Sequence, residues 1–191
     1  MNIRCGCPLR EDEAGAGGSD RMRLLLKPGV RSLAILALLA IIHAAASGDT
    51  LQGRVVGITD GDTLTVLAAG HPFKVRLAGI DAPERRQRFG HAARQALAAA
   101  TFDKSVVVLF HKRDRYGRLV GKVLVDGKDS SLALLEAGLA WHYLAFAREQ
   151  EPRDREAYAY AEQHARRDRR GLWAQPTPQP PWQFRLARRG R

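Results

Sequence analysis

A chain of 191 residues has room for one domain with a substantial core, plus terminal segments. With 45% apolar and 27% charged residues it is neither a disordered polyelectrolyte nor a membrane-filling protein. The formal net charge of +11 and pI near 10.5 stand apart: such a field attracts polyanions, although a solvated basic surface has the same composition.

Residues 1–46 have the pattern of an export leader. Arg21, Arg23, Lys27 and Arg31 form a basic flank, residues 33–42 an uninterrupted apolar run, and Ala44, Ala45 and Ala46 the small residues of a cleavage site. The run is shorter than the roughly 20 residues that span a bilayer, so cleavage near Ala46 is expected, with an uncleaved signal anchor as the alternative. Glu11, Asp12 and Glu13 are foreign to a signal, which makes Met22 a candidate start. Cys5 and Cys7, the two cysteines, both lie in this leader, too close together for an ordinary disulfide and without partners for zinc. Residues 47–191 retain 25 basic against 16 acidic side chains, about +9, so the basic character belongs to the domain.

Residues 51–58 favour a strand ending at the Asp60-Gly61 turn. Residues 63–67 alternate polar and apolar as a second strand, and Phe73 begins a third that runs to Gly79. In that third strand Val75 and Leu77 share one face, leaving Arg76 on the other. After Pro83 the spacing of Phe89, Ala92, Ala93, Ala96, Leu97 and Ala100 predicts a helix. Two further strands, 105–110 and 119–125, flank the hairpin Asp114-Arg115-Tyr116-Gly117-Arg118. A short helix capped by Asp129 or Ser130 and stopped at Gly138 follows. A last helix is predicted over about 153–169, with Ala157, Tyr160, Ala161 and His164 as its apolar stripe. Residues 174–191, with Pro176, Pro178, Pro180, Pro181 and a basic end, read as a disordered tail. The element order is that of an α+β protein with a mainly β core: a five-stranded OB-fold barrel with about three helices, in a domain over 47–173. No internal repeat is present.

Asp60, Asp62, Asp81, Glu84 and Arg76 are concentrated at strand ends, an arrangement suited to holding a cation and an anion together. Taken singly, Asp60-Gly61-Asp62 is also an ordinary turn, Asp81 and Glu84 a loop and helix start, and Arg115 and Tyr116 exposed hairpin residues. The segments Asp60-Gly61-Asp62-Thr63, Arg76-Leu77-Ala78-Gly79-Ile80-Asp81-Ala82-Pro83-Glu84 and Asp114-Arg115-Tyr116-Gly117-Arg118 together resemble, in order and spacing, the staphylococcal nuclease (thermonuclease) family.

The resemblance implies Ca2+ held by Asp62, Asp81 and the backbone carbonyl of Ala82, with Asp60 nearby. It implies catalysis by Arg76, Arg118 and Glu84, the last as general base, and substrate contacts from Arg115 and Tyr116. Trp141 falls where the family places groove aromatics, so base stacking and core packing are both open to it. Ala82 stands where the type enzyme has threonine, which spares a carbonyl ligand but removes a hydroxyl. The loop carrying Arg85, Arg86, Gln87 and Arg88 is short for the family. The implied activity is hydrolysis of DNA and RNA, single-stranded or denatured by preference, by a secreted or periplasmic monomer without stable membrane association once the signal is cut. The rival expectation is a noncatalytic nucleic-acid-binding OB-fold module, whose known examples have lost these carboxylates and arginines.

Overall fold

The computed structural model describes residues 49–190; the expected leader and the alternative start at Met22 lie outside them. Strand β1 (Asp49–Asp60) is long enough to serve two neighbours. Its first half pairs with β5 (Ser105–Arg113) and its second with β2 (Thr63–Ala68), with register shifts near Gly57 and Asp60 that bend it between them. Strand β3 (His71–Leu77) pairs with β2, and β6 (Leu119–Val125) with β5. A short parallel ladder, Val75 to Leu119 through Leu77 to Gly121, joins β3 to β6 and closes a five-stranded mixed barrel, the expected OB-like α+β fold.

The alternation in β3 puts Val75 and Leu77 inside the barrel with Leu64, Val66, Val108, Leu119 and Val123. Arg76 faces outward beside Val120. Helix α1 (Gly90–Thr101) covers one end of the barrel with Ala93 and Leu97. Two-residue strands β4 (Ile80–Asp81) and β8 (Trp141–His142) pair with each other, and β7 (Lys128–Asp129) extends β6. Helix α2 (Ser130–Glu136) is capped by the Asp129 carboxylate, which accepts from Ser131 and Leu132 N–H. Leu144–Glu149 is a 3₁₀ segment.

Helix α3 (Pro152–Arg167) matches the predicted span but not the predicted stripe. Tyr158, Ala161 and Ala165 are its buried residues, whereas Tyr160 is exposed against His164. Ala161 belongs to both the expected and the observed stripe and Ala157 is half-buried, but the buried face is turned toward Tyr158 and Ala165, which leaves Tyr160 outside.

Residues 174–191 depart from the expected tail. They leave a 3₁₀ turn, Gly171–Ala174, and end in helix α4 (Pro181–Arg189). Pro181 occupies the first turn, where a missing N–H costs nothing and a fixed φ favours helix, and Arg188 and Arg189 complement the dipole in the last. Trp182 docks edge-on against Trp141, 5.6 Å between ring centroids, adding to a second small core of Trp141, Ala165, Leu172 and Trp173. Gln87 Nε2 donates to the Gln179 carbonyl, tying the lead-in of α4 to the loop before α1.

Candidate active site

The barrel's closing seam assembles the site. Because Thr63 pairs with Arg76 across β2 and β3, and Arg76 with Val120 across the seam, Asp62, Arg76 and Arg118 emerge at one rim. The Asp60-Gly61-Asp62 turn is wedged against the loop after β4. A Cβ on Gly61 would lie 2.7 Å from the Cβ atoms of both Ala82 and Ala93, so only glycine allows this approach. The Asp62 carboxylate accepts the Ala82 N–H at 2.8 Å, fixing the two acidic segments to each other.

Asp62, Asp81, Arg76, Glu84, Arg118, Asp60, Arg115 and Tyr116 all line one cleft of about 680 Å³. Arg76 Nη2 lies 3.1 Å from Asp62 Oδ2 and 3.0 Å from Asp81 Oδ1. Arg118 is held by Asp114 at 2.7 Å and donates to the Thr63 hydroxyl at 3.4 Å, which in turn donates to Asp62 Oδ1 at 3.2 Å. One hydrogen-bonded chain therefore links the two arginines through Thr63 and Asp62. Tyr116 is 67% exposed, its ring beneath Arg115 and Arg118 at 4.9 and 5.5 Å.

Burial sets the electrostatics. It pushes the Asp60 carboxyl up to about 6, with the neighbouring Asp62 charge adding to the shift. Asp81, only 1% exposed, is likewise raised by burial, against the pull of Arg185 and Arg76. At Asp114 burial also acts upward, but is outweighed by hydrogen bonds from Arg118 and from the Arg118 and Tyr116 N–H groups, which hold the carboxyl below its usual range.

Trp141 does not join this cleft. It is 8% exposed, its ring 4.4 Å from Trp173, and its backbone pairs with Asp81. Of the two roles open to it the structure supports packing: it anchors the strand that carries Asp81.

The residue missed by sequence reasoning is Arg185, on α4. Its guanidinium spans Asp81 Oδ1 at 3.2 Å, Asp81 Oδ2 at 2.8 Å and Glu84 Oε1 at 2.8 Å. The signal was available: Trp182, Arg185, Leu186 and Arg189 recur at helical spacing after a proline pair.

The donor set suits a hard cation, since carboxylate oxygens gathered on a buried floor are what calcium or magnesium coordinate. Among the described residues no three acidic or imidazole groups converge on one point, because the carboxylates turn toward Arg76 and Arg185 instead. Thr63, Gln87 and Tyr143 are further contributors, the first by bridging, the second by accepting the Glu84 N–H, the third as cleft wall.

The profile of the family described as "Staphylococcal nuclease homologue" matches residues 74–175, more than half of the chain. A protein named micrococcal nuclease from Shigella flexneri is 40% identical over 163 residues, covering 81% of this chain and 91% of that protein. An uncharacterized endonuclease of Escherichia coli is 37% identical over 136 residues, 71% of this chain and 85% of that one. The staphylococcal-like nuclease CAN1 of Arabidopsis thaliana is 36% identical over 147 residues, 69% of this chain and 44% of its own length.

Proposed function

The chain belongs to the staphylococcal nuclease family, and on that premise we propose that it is an exported, calcium-dependent nuclease cutting DNA and RNA with little sequence preference. The observation that carries the proposal is the chain Arg118, Thr63, Asp62, Arg76, which aims two guanidiniums into the same acidic cleft as Asp81 and Glu84.

A phosphodiester under attack gathers charge on its non-bridging oxygens. Two planar guanidiniums that cannot lose their protons are suited to meet that charge, and the low exposure of Arg76 strengthens the contact. Asp62 and Asp81, with the Ala82 carbonyl, would hold the calcium ion, and Asp60 would add charge nearby without ligating. Bound there, the ion would polarise a phosphate oxygen and lower the pKa of a water. Glu84, on the cleft wall, takes the proton of the attacking water once its bond to Arg185 opens. Water adds to phosphorus, the bond to the 5′ oxygen breaks and that oxygen takes a proton from solvent while Glu84 returns its own to solvent, leaving 3′-phosphate and 5′-hydroxyl ends. Arg115 and Tyr116 contribute a charge and an exposed ring for the neighbouring nucleotide.

Since all these contacts are to phosphate, ion or a generic base face, sequence preference is expected to be weak, and unpaired strands fit best. The leader pattern supports a secreted or periplasmic protein, with an uncleaved anchor as the tethered variant; we take the exported domain to be a monomer. Purified residues 47–191 degrade denatured DNA in calcium and stop on chelation. A folded sample that binds but never cuts refutes the enzyme reading. N-terminal sequencing of the exported protein tests cleavage near Ala46.

A further inference from the structure

A second cleft, of about 660 Å³, lies against the first and is lined by Trp141, His142, Tyr143, Leu144, Trp182 and Leu186 among others. The two share Tyr143, Arg185 and Arg189 as lining residues, so they lie side by side along α4. Trp182, Arg185, Leu186 and Arg189 recur at i, i+3, i+4 and i+7, which sets all four along the second cleft as one helix face. Helix α4 lies beyond the segment 74–175 that the family profile matches.

We propose that the second cleft is a nucleotide subsite, holding a base and phosphate of a single-stranded substrate beyond the bond that is cut; this rests on the nuclease reading above. Three features identify the occupant. Trp182 and Tyr143 meet at 5.5 Å with planes 37° apart, giving an aromatic wall. Leu144 and Leu186 are 68% and 64% exposed, two large apolar side chains that the core does not use but a base face would cover. Of its arginines, Arg166 is paired with Glu162 at 3.4 Å and Arg185 with Asp81 and Glu84, which leaves Arg189 as the cation for a phosphate; the acid of this cleft, Glu162, is itself taken up by Arg166 and by the His142 N–H at 3.1 Å. Aromatic faces interleaved with arginines are the general means of binding single strands without reading sequence. Because Tyr143, Arg185 and Arg189 line both clefts, a strand seated in the first would extend over the second.

The test compares KM for a thymidine dinucleotide and for an octathymidylate, in calcium, across wild type, Leu186→Glu and, from the opposite wall, Leu144→Glu. A glutamate beside the phosphates repels them, and both positions are exposed enough for the fold to tolerate the change. Each variant raises the octamer KM about tenfold more than the dimer KM, the loss of roughly one stacked base. Equal shifts for both lengths, or none, overturn the subsite while leaving the nuclease intact. A wild type that cuts neither substrate refutes the nuclease reading itself. Displacement of bound octamer by anionic lipid vesicles from wild type but not from Leu186→Glu would assign the cleft to a membrane surface and overturn the proposal.

Discussion

Replacing Arg185 by alanine isolates a competition built into the site. Its guanidinium takes both oxygens of Asp81, which a divalent cation would need, and one of Glu84. A unit charge and a double charge about 5 Å apart repel by roughly 7 kcal/mol at an effective dielectric constant near 20, so the two do not share Asp81 and the arginine has to swing out first. What the cation overcomes is the net worth of those bonds. Charge-assisted bonds contribute about 1.5–3 kcal/mol when shielded from water. With Arg185 38% exposed the figure falls to about 1–2 kcal/mol. Arg185→Ala therefore tightens calcium binding by about 5- to 30-fold, measured by titration calorimetry without substrate, with circular dichroism confirming the fold. An unchanged or weaker affinity in a folded variant refutes the competition.

Other outcomes follow from the same geometry. Arg118→Ala keeps its thermal midpoint within a few degrees but loses about 10²- to 10³-fold in kcat on denatured DNA; full activity would remove Arg118 from the site. Gly61→Ala drives a methyl into Ala82 and Ala93 and destabilises the domain by about 1–3 kcal/mol in urea, with weakened calcium binding as the turn shifts. Tyr158, buried and donating to Asp129 at 2.6 Å, has its hydroxyl pKa raised by burial and then by the Asp129 charge. The folded protein therefore retains a proton that the unfolded chain releases above pH about 10. Stability from this group is complete below that pH and declines above it by about 1.4 kcal/mol per unit. Tyr158→Phe, compared by urea melts at pH 9 and 11, shows a smaller decline than wild type; an identical decline refutes the assignment.

The barrel strands were legible because alternation reports which side chains face a core, and Val75 and Leu77 against Arg76 illustrate it. The acidic turns were legible because glycine and aspartate advertise backbone conformations that other residues avoid. What the pattern could not carry was pairing between distant segments. Nothing local in Trp141 says that its backbone pairs with Asp81 while its ring is covered by Trp173 and Trp182. The α4 segment was misread for a related reason. Four prolines argue against regular structure on average, yet Pro181 at a helix start favours it, and the partner that makes so short a helix worthwhile is the site itself, more than a hundred residues away for Asp81.

The β3–β6 seam also brings together two arginines that belong to separate hairpins. Val75 and Leu119 are far apart in sequence, and only three residue pairs join their strands. The meander bearing Arg76 and the hairpin bearing Arg118 each consist of nearer neighbours and can form separately. The β1–β5 pairing already ties the two pieces together at one end, but only the β3–β6 ladder sets the strand of Arg76 beside the one that follows Arg118. Hydrolysis is thus a readout of the closed barrel rather than of secondary structure, and on the proposed export reading a chain crossing a membrane unfolded would be harmless to nucleic acid on the side where it was made.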